Sequence, residues 1–178
     1  LFKGKSGCGK STLLSLISGI QVADSGIIKI KGIDLKELKS NERDLYRGDH
    51  IGYIFQQFNL LPYLSVSENI LAPLTFSDLK KGKESGNLNE RVTTLLNHLS
   101  LDINPNKSVQ NLSIGQQQRV AIARALIGEP ELIIADEPTS ALDRETAEDL
   151  INHLFQECER LGTTLIFVSH DDTLDSLF

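Results

Sequence analysis

The start of the chain carries a glycine-rich segment whose residue types could bind phosphate. It fits the pattern G-x-x-x-x-G-K-[ST], and Thr12 follows it as a further binding candidate. Its members are Gly4, Lys5, Ser6, Gly7, Cys8, Gly9, Lys10 and Ser11. The glycines let the backbone curl so that successive N–H groups point at one anion, and Lys10 adds a positive charge. Because the Ser11 hydroxyl could bind a magnesium ion, the segment predicts a site for a nucleotide's phosphates with Mg²⁺.

Two acidic residues far along the chain could complete such a site. Asp136 and Glu137 directly follow the apolar run 132–135, which has the length and composition of a buried strand. Carboxylates at the end of a parallel strand emerge at the same edge of the sheet as a phosphate-binding loop. Asp136 could then hold Mg²⁺ through water, and Glu137 could polarise an attacking water. On its own such a pair could equally be a solvated strand end, so its weight comes from the glycine-rich segment.

The predicted elements must position these groups. A strand ending at Phe2 precedes the glycine-rich segment, and apolar residues at helical spacing follow it over 10–20. Further strands are predicted over 28–31, 50–55, 132–135 and 163–168. Helices are predicted from 65 toward 73, and over 88–99, 115–127 and 144–160, with a surface loop over 77–87. Alternating strands and helices indicate an α/β fold with a parallel sheet, interrupted by a mostly helical insertion over 57–125.

A second predicted helix start lies in the insertion and is the most discriminating part of the sequence. Residues 112–119 read Leu-Ser-Ile-Gly-Gln-Gln-Gln-Arg. With Gln56, the acids 136–137, the segment 140–143 and His170, they resemble the ordered motifs of the ATP-binding cassette family. The resemblance covers the whole chain. It implies a P-loop NTPase core over 1–56 and 126–178 and a helical subdomain over 57–125, as one domain over 1–178 that lacks the family's elements at both ends.

The resemblance also implies roles for individual residues. Gln56 is similar to a loop glutamine that contacts Mg²⁺ and the attacking water, and His170 to a histidine at the γ-phosphate. The signature residues Ser113, Gly115 and Gln116 are similar to those that bind ATP held on the opposite subunit, and Asp143 to an aspartate at that interface. Lys10, Gln56, Glu137 and His170 are therefore the catalytic candidates, and Ser11, Gln56 and Asp136 the metal ligands.

One residue departs from the family pattern. Ile114 stands where the family usually has glycine, and we expect its side chain to point away from the phosphate. The aromatic residue that stacks on adenine in the family would lie before Leu1. Cys8 is either a reactive thiol beside the phosphates or a small packing residue. His50, His98 and His153 lack metal-binding spacing and are expected to be packing or surface residues.

Composition restricts the partners. The formal charge of -6 and the pI of about 5.2 disfavour a nucleic-acid partner. The apolar runs are too short to cross a bilayer, and two cysteines are compatible with a reducing compartment. We expect a cytoplasmic protein, held at the inner face of the membrane through a partner chain.

The resemblance implies an ATP-hydrolysing subunit that forms a head-to-tail homodimer and powers a separate transmembrane permease. Residues 55–62 and 116–119 resemble the branch that serves lipoprotein release and macrolide efflux, which favours an exporter. Two alternatives stay open. One is a non-transport cassette ATPase acting on DNA or ribosomes, disfavoured by the compact insertion and the acidic charge. The other is a regulator without hydrolysis, disfavoured because Lys10, Asp136, Glu137 and His170 are all present.

Overall fold

Four parallel strands form the central sheet of this computed structural model, which describes residues 1–4, 7–77 and 87–177. The strands lie in the order β1-β6-β5-β4. They are β1 (Phe2–Lys3), β4 (Ile51–Ile54), β5 (Leu132–Asp136) and β6 (Thr164–Ser169). The remaining strands, β2 (Lys29–Ile30) and β3 (Ile33–Asp34), form a separate antiparallel hairpin. The predicted α/β fold with a parallel sheet is confirmed.

The register places the carboxyl ends of all four parallel strands at one edge. Lys3 pairs with Ser169, Val168 pairs with Asp136, and Ile54 pairs with Ala135. The residues that follow each strand therefore come together at this edge, which is where open parallel sheets carry their ligands.

Helices cover both faces of the sheet. They are α1 (Lys10–Ile17), α2 (Ser40–His50), α3 (Val66–Leu71), α4 (Leu88–His98), α5 (Ile114–Leu126) and α6 (Arg144–Leu161). Short 3₁₀ turns span Ala72–Phe76, Val109–Asn111 and Asp172–Leu177. Ile133 and Ala135 pack into the core cluster that contains α5 and α6, whereas Leu132 and Ile134 pack with Leu14 of α1. The alternation along β5 thus buries both faces of the strand.

Several predicted boundaries are corrected. The first helix ends at Ile17 rather than at residue 20, because the chain turns at Ser18 and Gly19 has a positive φ of 70°. The strand predicted over 28–31 is only Lys29–Ile30, and the strand predicted from His50 begins at Ile51 because His50 ends α2. The predicted surface loop over 77–87 lies largely outside the described residues, and Ser77 itself is buried.

Helix α2 was not predicted. It contains no buried residue, so it has none of the apolar periodicity from which the other helices were inferred. Its start is instead fixed by the Glu42 side chain, which accepts a 2.8 Å hydrogen bond from the Lys39 backbone N–H.

Helices α3, α4 and α5 contact one another, and α5 also packs on β4. This packing is compatible with the predicted division into a core over 1–56 and 126–178 and a helical part over 57–125, which stays a prediction. Among the residues described, no helix combines the length and apolar character needed to span a bilayer.

Gly52 in β4 provides a test of how closely α5 packs on the sheet. A Cβ added at this position would clash with the Ala125 carbonyl oxygen of α5 and would lie 2.5 Å from the Ile133 side chain. We expect Gly52→Ala to lower the free energy of unfolding by about 1–3 kcal/mol, the usual cost of overpacking.

The matched control is Gly48→Ala in α2, where the nearest atom to an added Cβ is the Phe76 carbonyl oxygen at 3.9 Å. This change should stabilise the protein by roughly 0.5–1 kcal/mol, because alanine loses less backbone entropy in a helix. Chemical denaturation compares the two variants. Equal stabilities would contradict the close packing of α5 on β4.

Candidate functional site

The glycine-rich loop connects β1 to α1, as the sequence predicts. Gly7 and Gly9 have φ angles of 80° and 96°, a region that residues with a side chain rarely adopt. Gly9 precedes the first residue of α1, so the loop leads directly to the positive end of a helix. Lys5 and Ser6 lie outside the described residues, and their predicted roles stay predictions.

Lys10 points back across the loop. Its Nζ donates a 2.6 Å hydrogen bond to the Gly4 carbonyl oxygen and lies 3.9 Å from Oε1 of Glu137. Only 12% of the Lys10 side chain is exposed, so its positive charge is poorly screened by solvent. The ammonium group therefore joins the glycine-rich loop to the acidic end of β5.

Glu137 is the group on which the other predicted catalytic residues converge. Its Oε2 accepts a 3.2 Å hydrogen bond from Nε2 of Gln56, which follows β4. Its Oε1 lies 3.0 Å from Nδ1 of His170, which follows β6. His170 is 61% exposed and Glu137 only 18%, so the carboxylate is covered while the imidazole reaches solvent. The structure thus joins residues that are 81 and 33 positions apart in the sequence.

A cavity of about 390 Å³ lies beside Lys10, Gln56 and Glu137. Its lining consists of Gly7, Gly9, Lys10, Ser11, Thr12, Gln56, Asp136 and Glu137. Burial raises the pKa of Asp136, and the neighbouring Glu137 raises it further, whereas Lys10 lowers it. The cavity therefore places two carboxylates that repel each other beside a positive group, and a divalent cation would relieve this repulsion.

The donor atoms suit Mg²⁺. Ser11, Gln56 and Asp136 offer a hydroxyl, an amide oxygen and a carboxylate, which are the hard oxygen ligands that Mg²⁺ prefers. Across residues 1–4, 7–77 and 87–177, no group of three or more His, Cys, Asp or Glu side chains is arranged to hold a metal.

The signature residues do not line this cavity. Ser113 begins α5, where its hydroxyl accepts from the Gln116 N–H at 3.3 Å while Gln116 Oε1 accepts from the Ser113 N–H at 3.0 Å. This capping box pairs two backbone N–H groups at the start of α5, where Ser113 and Ile114 are exposed. Ile114 is 55% exposed, which agrees with a side chain that points into solvent.

Asp143 begins α6 beside this turn. Its carboxylate accepts hydrogen bonds from the backbone N–H and the hydroxyl of Thr146, at 3.0 and 2.7 Å, and these bonds lower its pKa. A Cβ built on Gly115 would lie 3.7 Å from Cγ2 of the same Thr146. The starts of α5 and α6 therefore lie side by side, and the predicted interface residues form a second group.

Sequence reasoning missed several residues near the acids. A neighbouring cavity of about 470 Å³ is lined by Glu137, Thr139, Ser140, Leu142, Ser169, His170, Asp171 and Thr173. Thr139, Ser169 and Asp171 were not among the candidates. The available signal was their position at or just after the ends of β5 and β6, where parallel strands place functional groups.

Comparisons with known proteins agree with this geometry. A family model described as "ABC transporter" matches residues 1–140. The bacitracin export ATP-binding protein BceA of Halalkalibacterium halodurans is 42% identical over 168 residues, which cover 94% of this chain and 65% of that protein. The macrolide export ATP-binding/permease protein MacB of Syntrophobacter fumaroxidans is 40% identical over 171 residues, which cover 96% of this chain and 24% of that protein.

Solved structures show the same fold. A dimeric post-hydrolysis state of the ATP-binding cassette MJ0796, bound to ADP and Pi, aligns with a TM-score of 0.82 at 39% identity. The alignment covers 97% of this chain and 74% of that one. The predicted P-loop fold class is thereby confirmed. The chain spans slightly less than two thirds of BceA and about a quarter of MacB.

The exposed thiol of Cys8 gives a direct probe of the loop. Cys8 is exposed, whereas Cys158 is buried in the core, and burial together with nearby Glu157 raises the Cys158 pKa to about 12. We expect a maleimide to label Cys8 selectively. Nucleotide phosphates in the cradle should block access, so MgATP at roughly 100 times its Kd should slow labelling about 100-fold.

The control is Cys8→Ser, which should abolish the labelling because Cys158 has little reactive thiolate. Mass spectrometry of the modified peptide measures the rate. Labelling that persists in this variant, or that is indifferent to MgATP, would contradict the placement of Cys8 at the nucleotide phosphates.

Proposed function

Because this chain belongs to the ABC transporter family, we propose that it is the ATP-binding and ATP-hydrolysing subunit of a transporter. It acts with Mg²⁺ and powers a separate membrane permease. The observation that carries the proposal is the convergence of Lys10, Gln56 and His170 on the Glu137 carboxylate beside the glycine-rich loop. Each of the three approaches from a different part of the chain, and each supplies a group that hydrolysis of a phosphoanhydride needs.

We assign the phosphates to the loop. Backbone N–H groups from Gly7 to Ser11 and the start of α1 provide the anion cradle, and the Lys10 ammonium neutralises the β- and γ-phosphates. Binding of phosphate would replace the Gly4 carbonyl as a partner of Lys10. Ser11, Gln56 and, through water, Asp136 would hold Mg²⁺, which would supply positive charge to neutralise the phosphates.

Glu137 is the proposed general base. Its carboxylate is largely covered, and Gln56 and His170 bind its two oxygens. These contacts fix its position, so a water lying between Glu137 and the γ-phosphate could lose its proton to the carboxylate as its oxygen bonds to phosphorus. The bond from the γ-phosphorus to the bridging oxygen would break at the same time, and ADP would leave with that oxygen. His170, being exposed, can turn from Glu137 toward the γ-phosphate. Gln56 orients the same water. Through the loop that begins at Gln56, this residue also senses the permease.

A second group of residues is assigned to the contact with another copy of the chain. Ser113, Gly115, Gln116 and Asp143 lie together but outside the cavity lined by Lys10. We propose that they bind the nucleotide of a second copy of this chain in a head-to-tail dimer. The relatives include a bacitracin and a macrolide exporter, which supports an exporter located at the inner face of the membrane through its permease.

Glu137→Gln tests the mechanism. The amide keeps the shape of the side chain but removes the base and one negative charge facing the γ-phosphate. We expect ATP affinity to be retained, hydrolysis to fall at least about 100-fold, and an ATP-dependent dimer to accumulate. Sedimentation with MgATP and phosphate release measure the two effects. A variant that stays monomeric and hydrolyses ATP at the parent rate would rule out the role of Glu137.

Two changes in the Glu137→Gln background test the signature. Ser113→Arg should prevent the dimer, because a bulky charged side chain would obstruct the second nucleotide while leaving the first site intact. Ile114→Gly should leave the dimer intact, because Ile114 is exposed beside the capping box. The reverse pattern would show that the signature residues have been assigned incorrectly.

Affinity purification from solubilised membranes distinguishes a transporter subunit from the alternatives. We expect a protein with several membrane-spanning segments to co-purify with the tagged chain in stoichiometric amount. Recovery of ribosomes or DNA instead, stable to salt washing, would favour the non-transport ATPase and overturn the transporter assignment.

A further inference from the structure

A series of contacts joins α5 to α6 and continues away from the signature residues. Gly115 lies beside Thr146 close to the starts of both helices, since a Cβ built on the glycine would be 3.7 Å from Cγ2 of Thr146. One turn further along α5, Nη2 of Arg119 donates to Oδ2 of Asp149 at 2.7 Å. Residues 115 and 119 lie on one face of α5, and residues 146 and 149 lie on one face of α6, because residues three or four apart are neighbours on a helix surface. Both pairs therefore lie where the two helices face each other.

The series is reinforced where α4 ends. Nη1 of Arg119 donates to the Leu99 carbonyl oxygen at 2.7 Å, so one planar guanidinium holds two acceptors on different elements. Next to it, Ser100 Oγ lies 2.8 Å from Nε2 of His153, whose Nδ1 lies 2.7 Å from the Asp149 carbonyl oxygen. Nδ1 of His153 also lies 3.4 Å from Oδ1 of Asp149. In the neutral imidazole whose Nδ1 donates to the Asp149 carbonyl, Nε2 accepts from the Ser100 hydroxyl.

We propose that Arg119 and Asp149 are a positioning pair that holds Ser113 of α5 in register with Asp143 of α6. Both residues would face the same nucleotide on a second subunit, so the inference rests on the proposed dimer. The pair is suited to this role because Arg119 is only 12% exposed and fixed by two bonds, whereas Asp149 is 52% exposed and belongs to the neighbouring helix.

The adjacent Glu148 offers a matched control. It lies on the same helix, but its carboxylate binds Arg144 of α6 itself at 2.7 Å and does not join α6 to α5. Asp149→Asn and Glu148→Gln therefore remove the same charge from neighbouring positions, one from the contact between helices and one from within a single helix. Asp149→Glu retains the carboxylate and serves as the rescue variant.

The first measurement uses the protein without nucleotide and does not depend on a dimer. Hydrogen–deuterium exchange follows the first turn of α5, where the Gln117 N–H bonds to the Ser113 carbonyl oxygen at 2.9 Å. Asp149→Asn should speed exchange there by roughly two- to fivefold, the range expected for a partly exposed ion pair. Glu148→Gln and Asp149→Glu should leave it unchanged.

The second measurement tests whether the relative position of Ser113 and Asp143 affects formation of the dimer. In the Glu137→Gln background, Asp149→Asn should weaken the MgATP-dependent dimer by about two- to fivefold, again the range of a partly exposed pair. Binding of a fluorescent ATP analogue to the monomer should stay unchanged. Arg119→Lys should weaken the dimer as well, because an ammonium cannot hold both acceptors in one plane.

The outcomes separate this inference from the proposed function. If Asp149→Asn changes only the melting temperature, with exchange and dimer affinity like those of Glu148→Gln, the pair is merely structural and the inference is overturned. If the Glu137→Gln parent itself fails to dimerise, the proposed dimer is wrong, while the exchange experiment still decides whether the pair fixes the start of α5.

Discussion

The parallel register of β1, β4, β5 and β6 is the constraint on which the rest of the molecule depends. Parallel strands bring their carboxyl ends to one edge, so whatever follows them in the chain meets there regardless of sequence separation. Gly4 follows β1, Gln56 lies just after β4, Glu137 follows β5 and His170 follows β6. A slip of one residue in β5 would exchange the faces on which its side chains lie, and Asp136 and Glu137 would lose their partners.

The position of the Glu137 carboxylate depends on this register. Its backbone has a φ of 48°, which is unfavourable for a residue with a side chain, and its N–H bonds to the Val168 carbonyl oxygen of β6 at 2.9 Å. The neighbouring strand thus holds the strained turn in place. This turn directs the Glu137 side chain toward Gln56, Lys10 and His170. The strained backbone of Glu137 and the contacts of its carboxylate therefore depend on each other.

The sequence predicted those parts of the fold and of the site that are determined by residues close together in the chain. The glycine-rich loop, the buried strand β5 with its two acids and the helix start near Gly115 each depend on a few neighbouring residues. Helix α2 was missed because it buries no side chain, and the ends of α1 and β2 were misplaced because turns, rather than apolar spacing, terminate them. The bond from Gln56 to Glu137 and the pair Arg119 with Asp149 depend on how distant segments pack, which no local pattern encodes.

The separation of the two groups of candidate residues has its own physical consequence. The loop, Asp136 and Glu137 surround one cavity, whereas Ser113 and Asp143 present two helix starts elsewhere on the described surface. Both helix starts are capped, α5 by the neutral side chains of Ser113 and Gln116 and α6 by the carboxylate of Asp143. Because an anionic cap repels a phosphate and a neutral cap does not, the first turn of α5 would be the better phosphate ligand of the two. A γ-phosphate held by Lys10 of one copy and approached by the first turn of α5 from another would be neutralised from opposite sides. In the proposed dimer, hydrolysis would remove this shared anion, and with it the attraction between the two copies, so this geometry would couple phosphate chemistry to movement.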